Sequence, residues 1–509
     1  MARRFRSALL SAVVLSAAVA TMSSRPISAA TYVEGFDAVF EQAMIDRGYD
    51  SGAVDGKLPL ANIQTITNLD LSNVQFTRMG SNQNGMASFT SLRSLNISGN
   101  TAITELNEIS WPSSLRVLNI SGMTELTALR LIFLEFYDYQ TAYFSSGFNQ
   151  LITGNNIKLA SITISNTSLS TIDLSSMAEL TELSINDSKL SSLTVANLPN
   201  LKSIFLPSNN LTSLTMTNLP ALERLEIQRN GLTTLDVSGL TKLTQIYAAS
   251  NNLTALDLRQ NSSLETVRVE QNKLTSLLMP ASAPLRRIVV SNNMLKSIDV
   301  SKYPTLTFLA ANSNGLKTLN VASNPLLSNL SVSNNQLKSI DLTNNRDLVS
   351  LDVSSNKLKT LSLASNSQLT YLTASNNQLK TLNLNSVRGL QSLYLRTNKL
   401  KKIDLTGMYS LMQIDVSNNL LKKLDLSANT SAFWIRVAKN PLTSLKLRAV
   451  TAMVGELDIR STNLKTLDLR QWAPETVRAN GNIRIRVADP VGSLLDWENT
   501  LGENVKLTK

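Results

Sequence analysis

Apolar residues recur with a fixed period over most of this chain. Between residues 159 and 452 they mark fourteen consecutive units of 21 residues, with no insertion or deletion. Each unit reads L-x-x-L-x-L-x-x-N-x-L-x-x-L-x-L and ends in five variable residues. The eleventh position is Leu in every unit, from Leu169 to Leu442. Inside a unit the apolar residues form two alternating pairs, such as Leu351/Val353 and Leu361/Leu363. Alternation with period two places both side chains of a pair on one face of extended chain. One unit is thus expected to be one coil with two nearly extended sides, turned at residues 354–357 and again at 364–367. The second side is too short and too β-like for a helix, which would splay the coils. Two extended sides favour the same strand spacing, so gentle curvature is expected rather than a deep horseshoe.

A pattern of this kind at a period of 20–29 residues predicts a leucine-rich repeat solenoid. A lone coil buries too little apolar surface to hold its shape, so stability must come from stacking coils on a parallel sheet. The ninth position is Asn in twelve consecutive units, from Asn209 to Asn440. Asn repeated at an inward corner predicts a buried ladder of amides that bond the turning main chain.

Outside the regular run the chain divides further. Residues 1–30 read as a secretory signal peptide, with Arg3, Arg4 and Arg6 ahead of a small apolar run and Ala30 as the favoured cleavage residue. Residues 31–65 read as a helical amino-terminal cap, with Phe36, Val39, Phe40, Ala43 and Met44 at helical spacing. Residues 66–158 hold irregular repeats, 159–474 the regular ones, and 475–509 a last partial repeat and a closing cap. In the irregular part, residues 68–72, 92–97 and 115–120 read as first halves of units. The stretch 133–148 carries seven of the 26 aromatic residues, as a protruding loop or as filling where the period slips.

Composition narrows the chemistry. The chain has no Cys and no His. That excludes disulfides, thiolate nucleophiles, His-ligated zinc and a Ser-His-Asp triad. No carboxylate pair with catalytic spacing stands out, so the reading is a non-enzyme without cofactor or metal. The net charge is +11, and removal of residues 1–30 takes away four Arg and no acid. No later stretch is long and apolar enough to cross a bilayer.

Three parts of the chain together resemble bacterial secreted and surface leucine-rich repeat proteins of the internalin J type. These are the 21-residue unit, the opening Phe40-Glu-Gln-Ala-Met-Ile-Asp-Arg-Gly-Tyr-Asp, and the closing Ile485-Arg-Val-Ala-Asp-Pro with Trp497 beyond it. The resemblance implies adhesion, or recognition of protein or glycan, at the cell exterior or envelope. The cysteine ladder of many such proteins has no counterpart here, and attachment through a wall-sorting tail, which many of them carry, is not expected.

Two sets of residues are candidates for ligand contact. The third and fifth positions of each unit should face outward from the first sheet. They carry Phe205, Tyr247, Phe308, Tyr371, Tyr394 and Trp434, with Arg224, Arg268, Arg287 and Arg436 among them. Rings and Arg on a flat sheet suit a protein or glycan platform, and they also suit ordinary cross-strand packing. The twelfth position is Lys in seven units running: Lys296, Lys317, Lys338, Lys359, Lys380, Lys401 and Lys422. Stacked about 5 Å apart, neighbouring charges repel by roughly 0.8 kcal/mol in water. Such a stripe fits an acidic polysaccharide, or it is a by-product of repeat duplication. Asp299, Asp341, Asp404 and Asp425 lie three positions on and should dilute its field. No nucleic-acid partner is expected. A rod that serves only as matrix is the alternative to a binding protein.

Overall fold

The computed structural model describes residues 32–79, 85–107, 109–132, 148–154, 156–447, 454–469, 474–479, 483–486, 501 and 505–508. The signal stretch 1–30, aromatic residues 133–147, and Asp489, Pro490 and Trp497 lie outside them. The chain forms two compact parts, one ending at Met177 and one starting at Ala178.

The second part is a parallel β-solenoid. Its first side is a ladder that runs in chain order from Glu182–Asn186 to Pro474–Arg478. Strands of three residues occupy positions three to five of most coils, as in Ser350–Asp352, Tyr371–Thr373 and Ser392–Tyr394. The register steps by 21: Ser350 faces Tyr371, which faces Ser392. Leu351, Leu372 and Leu393, at position four, are fully buried. Positions three and five, one residue to either side, point outward because strand side chains alternate.

The second side is less regular. It pairs as strands at Ser192–Ala196 with Ser213–Thr217, Ala255–Asp257 with Ser276–Leu278, and Lys423–Asp425 with Ser444–Lys446. Near the end, Thr466–Asp468, Ile483–Arg486 and Val505–Thr508 form a further parallel set. Elsewhere the second side carries its apolar residues inward without ladder bonds. Leu358, Leu361 and Leu363 are all buried.

Two corners hold each coil. At the first, the eighth residue has positive φ, as in Asn334 (53°), Ser355 (51°) and Lys439 (54°). The next residue is the ladder Asn. Asn335 Nδ2 donates to the carbonyls of Ala311 (2.9 Å), Val332 (3.1 Å) and Ser333 (3.1 Å). Its Oδ1 accepts from the N–H of Leu316 in the previous coil, at 3.0 Å. One amide therefore satisfies four main-chain groups that the corner takes from water. The same bonds recur from Asn209 to Asn440. At the second corner a further set of buried amides occupies the nineteenth position. Asn345 there donates to Val321 (3.0 Å) and Asn324 (2.8 Å) in the coil before.

In the first part a helix, Ala38–Asp46, precedes the coils. Asp37 caps it, with Oδ1 accepting from Val39 and Phe40. Phe40 stacks on Phe36 at 4.9 Å and meets the edge of Phe76 at 5.2 Å. Glu41 is fully buried, and its two oxygens accept the N–H groups of Asp55 and Gly56, at 2.7 Å each. The Phe-Glu pair thus ties the helix to the core and to the following loop.

The irregular repeats require one correction. Asn68–Asp70, Ser94–Asn96, Val117–Asn119 and Gln150–Ile152 form one sheet. Glu105–Leu106, Ala128–Ile132 and Ser161–Ser165 form the other. Ser161–Ser165 belongs to the first half of the unit that starts at Leu159, so the segments read as first halves lie on the second side. Both halves of a unit share L-x-x-L-x-L, and Asn100 imitates the ladder residue, bonding Ile97 and Leu71. Spacing alone cannot set the phase there. The register also shows that Leu118 pairs with Leu151 and Leu129 with Ile162, an advance of 33 residues. Phe148, the last ring of the aromatic stretch and the one among the described residues, is fully buried.

Candidate functional site

All six candidate rings stand on the outward face of the first sheet, and none is in the core. Tyr371 is 39% exposed, and the other five are half-buried. They fall into three groups. Tyr371, Tyr394 and Trp434 form the largest. The rings of Tyr371 and Tyr394 are 5.8 Å apart, and those of Tyr394 and Trp434 are 5.9 Å apart. Tyr394 and Trp434 belong to coils two apart, and they meet over the coil of Gln413 between them. The Tyr394 hydroxyl donates to Gln413 Oε1. Arg436 lies over Trp434, 4.0 Å from the ring centroid, and forks onto Glu456 at 2.9 and 3.2 Å.

In the second group Arg224 lies between Phe205 (5.3 Å) and Tyr247 (5.4 Å), with Arg268 6.0 Å from Tyr247. Arg224 also pairs with Glu226. The third group is Arg287 over Phe308 at 3.8 Å. Each group has one construction: large side chains at positions three and five lean across neighbouring coils and cover each other's edges. Sequence reading found the rings and the Arg residues. It passed over Gln413 and Glu456, which fix them. Both occupy the same third position, and nothing but three-dimensional contact sets them apart from the other polar residues of the face.

Electrostatics keep the main group neutral but polar. Burial, then the neighbouring Tyr394 and Asp352, pushes the Tyr371 hydroxyl above its ordinary value. Burial does the same at Tyr394, against a hydrogen bond with Ser392. Both phenols therefore keep their protons at neutral pH and can donate. The Arg436 guanidinium keeps a planar face over Trp434 while its N–H groups are held by Glu456.

The seven lysines from Lys296 to Lys422 lie after the first corner, away from the rings. All are exposed. Among the described residues no ion pair involves any of them, and no cluster of acids could hold a metal ion. No helix among the described residues is long and apolar enough to cross a membrane.

The chain matches no family model and no curated protein. Solved structures are similar in fold. The functional domain of InlJ from Listeria monocytogenes, described as including a cysteine ladder, superposes with a TM-score of 0.50 and 23% identity, over 78% of this chain and 83% of that one. The structure of PEPR1-AtPEP1 also gives 0.50, at 17% identity, over 88% of this chain and 87% of that one. With the 21-residue repeat and its paired strands, this likeness establishes the fold as a leucine-rich repeat solenoid.

Proposed function

We propose that this protein is an exported recognition scaffold, not an enzyme, that binds a protein partner on the outward face of its first sheet. The observation that carries the reading is the packed group of Tyr371, Tyr394, Trp434 and Arg436. Tyr, Trp and Arg dominate interface hot spots. Rings already fixed against each other lose little freedom on binding. The rings stand on the outward positions of a sheet face, which suits a macromolecular surface better than a small ligand. Export is supported by Arg3, Arg4 and Arg6 ahead of the apolar run in residues 7–20. A matrix rod would need neither the rings nor their pairing.

The test is a screen of the purified chain against arrayed extracellular proteins and glycans, beside the triple variant Tyr371→Ser, Tyr394→Ser, Trp434→Ser. A protein hit that the variant loses is the expected result. Protein hits that the variant retains, or the absence of any protein hit, would overturn the reading.

A further inference from the structure

The lysine stripe is a second surface, on a different side of the same coils. From Lys296 to Lys422 each coil presents one ammonium at the position that follows the buried Leu of the first corner. The coils stack through strands in register, so successive ammonium groups follow each other at about 4.7–4.9 Å. That is well inside a Debye length at physiological salt, and the like charges repel. Thr443 interrupts the row, and the exposed Lys465 resumes it one coil later.

The nearby acids do not relieve this repulsion. Asp299, Asp341, Asp404 and Asp425 turn into the second corner, where each accepts the N–H of the residue two positions on. Of the four, Asp425 makes the ion pair, and its partner is Lys446 rather than a stripe lysine. A row of unpaired cations persists only at a cost that a matching row of anions would remove along its whole length.

We propose that this row is a site for a linear acidic polysaccharide, carboxylated or sulfated, laid along the second side of the coils. The shape argues for a linear ligand: the twelfth position repeats one Lys per coil, and Lys357, Lys399, Lys402 and Lys423 add cations beside the row. The flanking residues argue against a single-stranded nucleic acid. Binding of that class uses aromatic platforms for base stacking, and positions ten to thirteen of these seven coils hold no aromatic residue. Six steps between seven lysines span about 30 Å, so affinity should grow with ligand length up to that span and then level off.

The experiment uses the purified full chain on a heparin column, with oligothymidylate of equal charge count as competitor. The variant Lys338→Gln, Lys359→Gln, Lys380→Gln breaks the middle of the row. A control, Lys202→Gln, Lys242→Gln, Lys302→Gln, removes three exposed lysines elsewhere in the same part. The middle variant should elute at clearly lower salt, and its log–log salt slope should fall by about 2, or roughly 0.7 per lost contact. The control should elute close to wild type. Equal elution of the two variants would mean that only overall basicity matters and would overturn the site. Displacement by oligothymidylate as effective as by soluble heparin would overturn the choice of polysaccharide.

Discussion

At the scale of single residues, the corners carry most of the specificity of the fold. Asn335 satisfies four main-chain groups at once, while Asn334 beside it occupies the left-handed region at φ 53°. The two adjacent Asn residues do different work. Asn335→Ala strands buried donors and acceptors and should destabilise the protein by about 1–3 kcal/mol. Asn334→Gly keeps the backbone free to turn and should stay within about 0.5 kcal/mol of wild type. Urea unfolding separates the two, and equal losses would contradict the register. The ninth-position Asn was legible in the sequence because it recurs in twelve consecutive units and an amide both donates and accepts. The left-handed eighth position was not, because Arg229, Gln271 and Lys439 adopt it as well as Asn and Ser.

Tyr303 is a second residue-scale test. It occupies the nineteenth position, where Asn261, Asn324, Asn345, Asn366 and Asn429 stand in other coils, and its buried hydroxyl donates to the Pro280 carbonyl at 2.6 Å. Burial, aided by the charge of Asp299, pushes its pKa from 10.0 up to about 12. A raised folded pKa gives stability that is full below the unfolded value and is lost as pH rises through the folded one. Wild type should therefore lose stability between pH 10 and about 12. Tyr303→Phe should be weaker by about 1 kcal/mol at neutral pH and should show a shallower alkaline fall. Parallel profiles of the two proteins would contradict the burial argument.

At the scale of the element, the coil is two similar halves joined by two similar corners. That similarity is why the regular run could be read from sequence and why the irregular run was read half a coil out of phase. Where Leu follows the corner Asn by two, as from Leu211 to Leu442, the phase is unambiguous. After Asn100 the corresponding residue is Ala102, and the marker is lost.

The second corner has an internal control. Asp299 and Asp341 are held below the usual carboxylate range by the side chains, and next by the backbone N–H groups, of Ser301 and Thr343. In Asp404 and Asp425 the hydrogen bonds to Thr406 and Ser427 act the same way. A depressed folded pKa contributes stability that is present above the unfolded value and lost as pH falls through the folded one. Asn320 and Asn383 make the same turn at the same position without a charge, accepting from Ala322 and Asn385. Replacing the four Asp by Asn should therefore preserve the fold at neutral pH and flatten the loss of stability in acid. Melting temperatures that fall equally in the two proteins below the carboxylate range would place the acid-sensitive groups elsewhere.

At the scale of the whole molecule, one repeat presents two kinds of surface on two sides. The outward positions of the rings were legible because period two fixes which side chains leave the core. Their grouping was not. Tyr394 and Trp434 stand 40 residues apart and meet over the intervening coil, whose Gln413 accepts from the Tyr394 hydroxyl. The stripe was legible in full, since a constant position in a constant period must form a line. Its freedom from ion pairs was not, because the aspartates three residues away could have turned either way.

The central claim is that the ring group on the first sheet is the protein-binding surface. The most direct measurement is a calorimetric titration of the partner identified on the array into three proteins. These are wild type, the Tyr371, Tyr394 and Trp434 triple Ser variant, and the Lys338, Lys359 and Lys380 triple Gln variant. The account predicts that the ring variant melts as a folded protein yet loses at least about 2 kcal/mol of binding free energy, while the lysine variant binds as wild type does. A folded ring variant with undiminished affinity would contradict it.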